Sequence, residues 1–288
     1  MRGQGLPNRK ATRRSIAAAR SAPKDAPSLS VSVASSVDAP VRLIPVFAEL
    51  FAGLEALGSR PGEIVRALRQ AGIERASRVI DMGCGKGAVA LAAATKLGCR
   101  VQGIDACRAF IDEARRTARA RELTGLCRFR CADLRSLRSG RYDAALMIGV
   151  LPFAQAIHVL RPLVRRGGVY LIEDCWWDER IAPAPRAAWT RERAAGVIGS
   201  LGDELTAVRT STPSTVRRLN GALYRRLEIN ARRLMRLHVG LRADLRVFLA
   251  RQREANRLLE SALRPAIWTV RRSGLLDSTR PLKGSDSA

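Results

Sequence analysis

Short apolar runs alternate with longer amphipathic segments along the middle of the chain. The amphipathic segments predict helices, because their apolar residues recur every three or four positions. Strands that alternate with helices predict an α/β fold, in which a mostly parallel sheet carries helices on both faces. The predicted strands of this part are Arg78–Met82, Arg100–Ile104, Cys127–Cys131, Ala144–Val150 and Val169–Glu173.

Two further strands, Glu204–Thr210 and Ala266–Arg272, are predicted in the last third of the chain. Between them, Ser214–Leu263 has leucines on one helical face, and Gly240 predicts a break in it, so a helical insert made of two helices is expected. Before the first strand, apolar residues from Leu43 to Leu57 recur at helical spacing and predict one more amphipathic helix.

Composition divides the chain into one domain and two tails. Residues 1–40 are rich in Ser and Arg and lack an apolar period, which is typical of a disordered basic tail. The same composition is typical of an organellar transit peptide, so a cytoplasmic location is expected unless this segment is such a peptide. Residues 41–275 are predicted to be the domain, with 213–265 as its basic insert, and residues 276–288 a polar tail.

The chain is strongly basic, with 51 Lys and Arg against 26 Asp and Glu and a formal net charge of +25. Such a field attracts nucleic acids, anionic lipids or acidic metabolites. The longest apolar run, Ala144–Ala154, is too short to span a bilayer, which takes about 20 residues, so no transmembrane segment is predicted. The six Cys form no CxxC pair and only two His occur, so no metal site is predicted and the thiols are expected to be reduced.

A glycine-rich segment, Asp81–Gly87, follows the first predicted strand and lets the backbone approach a ligand closely. Asp105 ends the second strand and Asp133 follows the third, so the acids are expected to meet at one edge of the sheet. There Asp105 is placed to bind ribose hydroxyls and Asp133 an adenine amine, whereas the alternative is that each only caps a helix. The pattern predicts a nucleoside-containing cofactor, and the glycine spacing alone does not exclude a nicotinamide dinucleotide, because Ala88 is a tolerated exchange for its third glycine.

Several segments resemble the motifs of the class I S-adenosylmethionine-dependent methyltransferases. The resemblance covers residues 64–171 well and extends more loosely to residue 272. In the lead-in to the fifth strand, Arg166 replaces the usual proline. The resembling segments are Asp81–Gly87, Gly103–Asp105, Ala132–Leu134, Tyr142–Val150 and Leu160–Gly168.

This resemblance implies a Rossmann-like sheet of seven strands with the last antiparallel, and S-adenosyl-L-methionine as the cofactor. The glycine segment would lie against the methionine part of the cofactor, with Asp105 at the ribose, and Ala132 and Asp133 at the adenine. Ile148 would lie where the fourth strand opens toward the transferred methyl. The cofactor-binding residues so predicted are Asp81, Gly83, Cys84, Gly85, Gly87, Asp105, Ala106, Ala132, Asp133, Leu134 and Ile148.

The end of the fourth strand, Met147–Phe153, lacks the Asn/Asp-Pro-Pro-Tyr/Phe motif of amino-methylases that act on DNA and RNA. This apolar run is more like that of family members with small-molecule substrates, so methyl transfer to an O, N or C atom of a small organic acceptor is expected. Two alternatives stay open, which are an RNA-directed methyltransferase that uses the Arg-rich insert and a cofactor-binding regulatory protein without catalysis.

Acids at the fifth strand are candidates for a general base. Asp174 is the first candidate and Glu173 the second, and the alternative is that they cap a helix or loop. Trp176 and Trp177 either line a substrate pocket or pack on the core. The insert has the Arg pairs Arg217-Arg218, Arg225-Arg226 and Arg232-Arg233, which either bind RNA or anionic lipid or form a solvated face above a packed leucine stripe.

Overall fold

The computed structural model describes residues 28–185, 188–260 and 262–273. Its strands are β1 Arg78–Met82, β2 Arg100–Asp105, β3 Cys127–Cys131, β4 Tyr142–Ile148, β5 Val164–Trp177, β6 Glu204–Thr210 and β7 Leu263–Arg271. Among the described residues these seven strands form one sheet in the order β3-β2-β1-β4-β5-β7-β6. Neighbouring strands are parallel except at β7, which is antiparallel to β5 and β6. The predicted fold class, with its antiparallel last strand, is confirmed.

Helices lie on both faces of the sheet, and two of them form the insert between β6 and β7. No helix in the described ranges is long and apolar enough to cross a membrane. The helices are α1 Leu29–Ser35, α2 Phe47–Leu50, α3 Pro61–Gln70, α4 Ala88–Leu97, α5 Arg108–Ala120, α6 Phe153–Leu160, α7 Arg191–Ser200, α8 Pro213–Leu237 and α9 Arg242–Glu260.

The core has one apolar layer on each face of the sheet. Ile64 of α3 and Val89 of α4 belong to the layer on one face, and Ile157 of α6 and Ile198 of α7 belong to the layer on the other. Strand β4 contributes to both layers, because successive side chains of a strand point to opposite faces. This explains why β4 is apolar at nearly every position.

The helix predicted from Leu43 to Leu57 is replaced by shorter elements, a 3₁₀ turn at Val41–Val46 and α2. Pro45 lies inside the turn and lacks the N–H that a regular helix needs, and Gly53 has a positive φ of 72°. Leu43, Phe47 and Leu50 are nevertheless fully buried. The apolar spacing therefore predicted the buried positions correctly and the type of element incorrectly.

The insert consists of α8, a 3₁₀ turn at Val239–Leu241 and α9, and its break coincides with the predicted Gly240. Leu227 and Leu234 of α8 are buried together with Phe47 and Leu50 in a third apolar cluster. Asn230 Nδ2 also donates to the carbonyl oxygens of Leu50 and Ala52, at 3.0 and 2.9 Å. The leucine stripe therefore holds the insert on the N-terminal segment.

Part of the predicted N-terminal tail is folded onto this cluster. Helix α1 is capped by the Ser28 side chain, and Ala34 and Ala39 are buried. Gln252 Nε2 of α9 donates to the Val37 carbonyl oxygen at 3.1 Å. The folded chain thus includes residues 28–40, whereas residues 1–27 and the predicted tail 276–288 lie outside the described residues.

Candidate active site

The glycine segment forms a tight loop between β1 and α4. The amides of Gly83 and Cys84 donate to the Ile104 carbonyl oxygen of β2, at 2.8 and 3.0 Å. Gly83 has a φ of 80°, and a Cβ added there would come within 2.4 Å of Val150 Cγ2. The glycine is required at this position because it alone fits both the backbone conformation and the contact.

Asp81 lies at the end of β1, directly under this loop, and is 2% exposed. Its Oδ2 atom is buried and has no hydrogen-bond partner within the described part of the chain. Burial, together with the nearby Asp105 carboxylate, raises the pKa of Asp81 from 3.8 to about 7. A buried carboxylate oxygen without a partner is costly, so the position is suited to a cationic or donating ligand group.

Asp105, at the end of β2, fastens the loop to the following helix. Its Oδ2 accepts from the Gly85 amide and its Oδ1 from the Cys107 amide, both at 2.8 Å. Burial raises the pKa of Asp105, while these amides lower it. Each carboxylate oxygen has a second lone pair, so this capping role leaves acceptor capacity for a ligand.

These groups border a cavity that we call the loop cavity. Its lining includes the predicted residues Asp81, Gly83, Cys84, Gly85, Asp105 and Ile148. Sequence reasoning missed a second set of lining residues, because they lie in the N-terminal segment far from any motif. This set is Val33, Ser36, Val37, Glu55, Leu57 and Ser59.

Five predicted cofactor residues are not in this lining, namely Gly87, Ala106, Ala132, Asp133 and Leu134. The Asp133 carboxylate accepts from the Arg135 amide at 2.8 Å and from its guanidinium at 2.7 Å, which lowers its pKa. The structure thus shows the capping alternative for Asp133. Its role at an adenine stays a prediction.

A second cavity, the insert cavity, adjoins the loop cavity and shares Leu57, Ser59, Ile148 and Gly149 with it. Its roof is the insert, and its floor is the carboxyl-terminal part of β5. The other lining residues are Gly58, Arg60, Glu173, Asp174, Cys175, Val216, Leu219, Asn220, Leu259 and Pro265.

Both predicted candidates for a base line the insert cavity, inside β5 rather than after it. Asp174 caps α6, because its Oδ2 accepts from the Phe153 amide at 2.8 Å, and its Oδ1 accepts from the Cys175 amide at 2.7 Å. The Glu173 carboxylate instead pairs with the Arg60 guanidinium. Burial raises the pKa of both acids, and Arg60 opposes this rise at Glu173.

The remaining candidates lie elsewhere. Trp176 is buried and donates to Thr210 Oγ1 at 3.3 Å, and Trp177 donates to the Ala182 carbonyl oxygen at 2.8 Å, so both belong to the packed structure. His158 and His238 are exposed and line neither cavity. Within the described ranges, no three His, Cys, Asp or Glu side chains are placed to hold a metal ion, and the six thiols are free.

Residues 79–168, which contain the glycine loop, Asp105 and β4, match the family model described as a methyltransferase domain. This part of the chain is therefore similar to methyltransferase domains. No curated protein sequence matches the chain.

Solved structures share the fold of this chain over most of its length. A SAM-dependent methyltransferase from Thiobacillus denitrificans, in complex with S-adenosyl-L-homocysteine, is 21% identical with a TM-score of 0.62, and the match covers 79% of this chain and 98% of that one. A SAM-dependent methyltransferase from Geobacter sulfurreducens, in the same complex, is 19% identical with a TM-score of 0.63, covering 80% and 97%. The cyclopropane synthase MmaA2 from Mycobacterium tuberculosis is 13% identical with a TM-score of 0.64, covering 86% and 99%.

Proposed function

We propose that the protein is a methyltransferase, which binds S-adenosyl-L-methionine in the loop cavity and transfers its methyl group to a small organic acceptor in the insert cavity. The observation that carries the proposal is the unpartnered Asp81 Oδ2 inside a glycine-lined cavity. The amino group of the cofactor is the kind of cation that such an oxygen lacks. When bound, the cofactor supplies an electrophilic methyl on a sulfonium.

The residues of the loop cavity fit the other parts of this cofactor. Asp105 keeps lone pairs for ribose hydroxyls after binding Gly85 and Cys107. Gly83 and Gly85 have positive φ values, which let the backbone turn tightly beside the cavity. Val37 and Leu57 line the cavity from the N-terminal segment.

The insert cavity is suited to the acceptor because it adjoins the loop cavity at Ile148 and Gly149. Holding the acceptor in line with the methyl is worth about 7–11 kcal/mol in favourable cases, so positioning does most of the work. Glu173 is the group that we assign to proton removal. The carboxylate oxygens of Asp174 are already held by backbone amides, whereas Glu173 has a side-chain partner that can shift.

Calorimetry with S-adenosyl-L-homocysteine tests the cofactor assignment. We expect Asp81→Asn to weaken binding by about 1.5–3 kcal/mol, roughly 10–100-fold, because a hydrogen bond to a charged group is lost. Asp112→Asn is the matched control, since its half-exposed side chain lies on α5 outside both cavities and should leave affinity unchanged. An absence of binding by the unsubstituted protein would remove the cofactor from the proposal.

Methyl-labelled cofactor tests the acceptor class. We expect the label to appear in a pool of small organic molecules and not in an RNA pool. Label that appears only in RNA would contradict the assignment of the insert cavity.

A further inference from the structure

The insert cavity is acidic, although the chain as a whole is strongly basic. Glu173 and Asp174 both line it, and Glu63 lies beside them, with a carboxylate oxygen 3.7 Å from Arg60 Nη1. Arg60 is the guanidinium of the lining. Three carboxylates and one cation therefore lie in or beside the lining of this cavity, although the protein as a whole has a net charge of +25.

These charges are poorly reached by solvent. The side chains of Arg60 and Glu173 are 7% and 11% exposed. Burial and the neighbouring Glu63 and Asp174 carboxylates raise the pKa of Glu173, which Arg60 only partly offsets. Burial, together with the Asp174 and Glu173 carboxylates, raises the pKa of the Cys175 thiol to about 12, so this thiol is neutral and adds no further charge. Carboxyl groups therefore outnumber cations in and beside this lining.

The rest of the lining is mostly apolar. The insert and the start of β7 contribute to it, and among the insert residues of this lining only Asn220 is polar. The cavity therefore has one charged side and one apolar side, and a ligand that fills it has a polar head and an apolar body. The apolar side is Leu57, Val216, Leu219, Leu259 and Pro265.

We propose that the acceptor is an amine with an apolar body, whose ammonium form is recognised by the acidic side of the insert cavity and whose nitrogen is methylated. This inference rests on the proposed function. An anionic acceptor would bring a third negative charge against Glu173 and Asp174 in a poorly solvated site, which is unfavourable, whereas an ammonium compensates the excess carboxylate.

The reaction balances with the groups at hand. The ammonium gives one proton to the Glu173 carboxylate, which a raised pKa makes a better proton acceptor. The freed nitrogen lone pair forms the new N–C bond while the S–C bond of the cofactor breaks, and that electron pair stays on sulfur. The positive charge moves from sulfur to nitrogen, so the product is a methylated ammonium, a neutral thioether and a protonated Glu173, which returns its proton to solvent.

Calorimetry on the complex with S-adenosyl-L-homocysteine tests the charge preference with three probes of similar shape, phenethylamine, 2-phenylethanol and 3-phenylpropionate. We expect the amine to bind about tenfold or more tightly than the alcohol, the ratio for one favourable charge interaction of about 1.4 kcal/mol, and the acid most weakly. Equal binding of the three, tighter binding of the acid, or no binding of the amine at millimolar concentration would overturn the inference.

Two variants test which acids set the preference. Glu173→Gln should reduce the preference for the amine over the alcohol about tenfold. Since this change leaves Arg60 with less compensation and risks a folding defect, Glu63→Gln on the exposed side of α3 is the second variant, with an expected reduction of about two- to threefold. An unchanged preference in both variants would contradict the proposal. If the unsubstituted protein binds S-adenosyl-L-homocysteine but does not select amines, this inference is contradicted and the proposed function is not. If it does not bind S-adenosyl-L-homocysteine, the proposed function is contradicted.

Discussion

The loop cavity and the insert cavity adjoin each other, but the chain builds them differently. Around the loop cavity, Asp81, the glycine loop and Asp105 come from one stretch that comprises β1, the loop, α4 and β2. Around the insert cavity, Arg60 meets Glu173 across 113 positions, and the roof comes from helices after residue 212. A local motif thus supplies the acids and the glycine loop of the first cavity, whereas tertiary packing supplies its cover and assembles the second cavity.

The cavities also differ in how their buried acids are satisfied. Asp81 in the loop cavity has an oxygen without a partner, whereas Glu173 and Asp174 in the insert cavity are already bound by Arg60 and by backbone amides. A ligand of the loop cavity therefore supplies a missing partner. A ligand of the insert cavity competes with or adds to partners that are present, so we expect its recognition to be weaker and more tolerant.

The largest effect is expected at the loop that only glycine fits. Gly83→Ala places a Cβ within 2.4 Å of Val150 Cγ2 at a φ of 80°. We expect a loss of about 2–4 kcal/mol in unfolding free energy, from backbone strain plus overpacking. Chemical denaturation with circular dichroism measures it.

Gly196→Ala is the control for this substitution, because a Cβ at that exposed position of α7 meets nothing within 4 Å. It should stabilise the protein slightly, by up to about 1 kcal/mol, since alanine favours a helix over glycine. Equal stabilities of the two variants would show that the loop is not specified by its glycine.

The next effect is expected at Asp105. Asp105→Ala should weaken cofactor binding by about 1.5–3 kcal/mol. It should also lower the unfolding free energy by about 0.5–2 kcal/mol, because the amides of Gly85 and Cys107 lose a capping acceptor. Calorimetry and thermal melts separate the two losses, and an unchanged affinity would exclude Asp105 from the cofactor site.

The contrast between the cavities also explains which parts of the fold and of the site could be predicted from the sequence. The sheet was predicted because a strand buried on both faces, such as β4, has no competing pattern. The bounds of β3 and β6 agree with the prediction, whereas β5 extends from Val164 to Trp177, since pairing with β7 continues it past Glu173. That extension places Asp174 inside a strand.

What could not be predicted depends on long-range contacts. Nothing in the local sequence of Val33 or Val37 reveals that they border a cavity next to Asp81, because α1 reaches this place only through the insert and the third apolar cluster. The pairing of Arg60 with Glu173 is equally invisible. Local motifs indicate strand ends and loops, while the cover of a site is decided by packing.

A smaller effect is expected from pH. Burial and Asp105 raise the pKa of Asp81 from 3.8 to about 7, so between about pH 4 and 7 the folded state holds a proton that the unfolded chain has lost. Unfolding free energy should therefore fall as the pH rises through this window. Cofactor affinity should rise about tenfold from pH 6 to 8, because a cationic group prefers the ionised carboxylate.

Asp81→Asn separates this titration from that of the ligand itself. Calorimetry with S-adenosyl-L-homocysteine over the same range should give a flatter profile for the variant than for the unsubstituted protein. Identical profiles would show that Asp81 does not meet the ligand cation.

The smallest effect is expected on the outer face of the insert, the side away from both cavities. Arg225 and Arg233 are exposed there, Arg226 lies against Gly53, and Arg232 pairs with Glu228 at 2.9 Å. An RNA interface usually adds aromatic rings for base stacking, but the insert has only two, of which Phe248 is fully buried and Tyr224 is half-buried. RNA binding should therefore be weak at physiological salt.

Neutralising Arg225, Arg226, Arg232 and Arg233 together tests this expectation. If the face held RNA, the logarithm of the affinity would fall with the logarithm of salt at a slope of about 0.7 per phosphate contact, and the fourfold substitution would flatten that slope. We expect RNA binding too weak to show such a slope, and only a modest change in the rate of methyl transfer. The rate should change little because α8 is held on the domain by its leucine face and by Asn230. Tight RNA binding that the fourfold substitution abolishes would contradict this expectation. The outer face of the insert, and not the insert cavity, would then select the substrate.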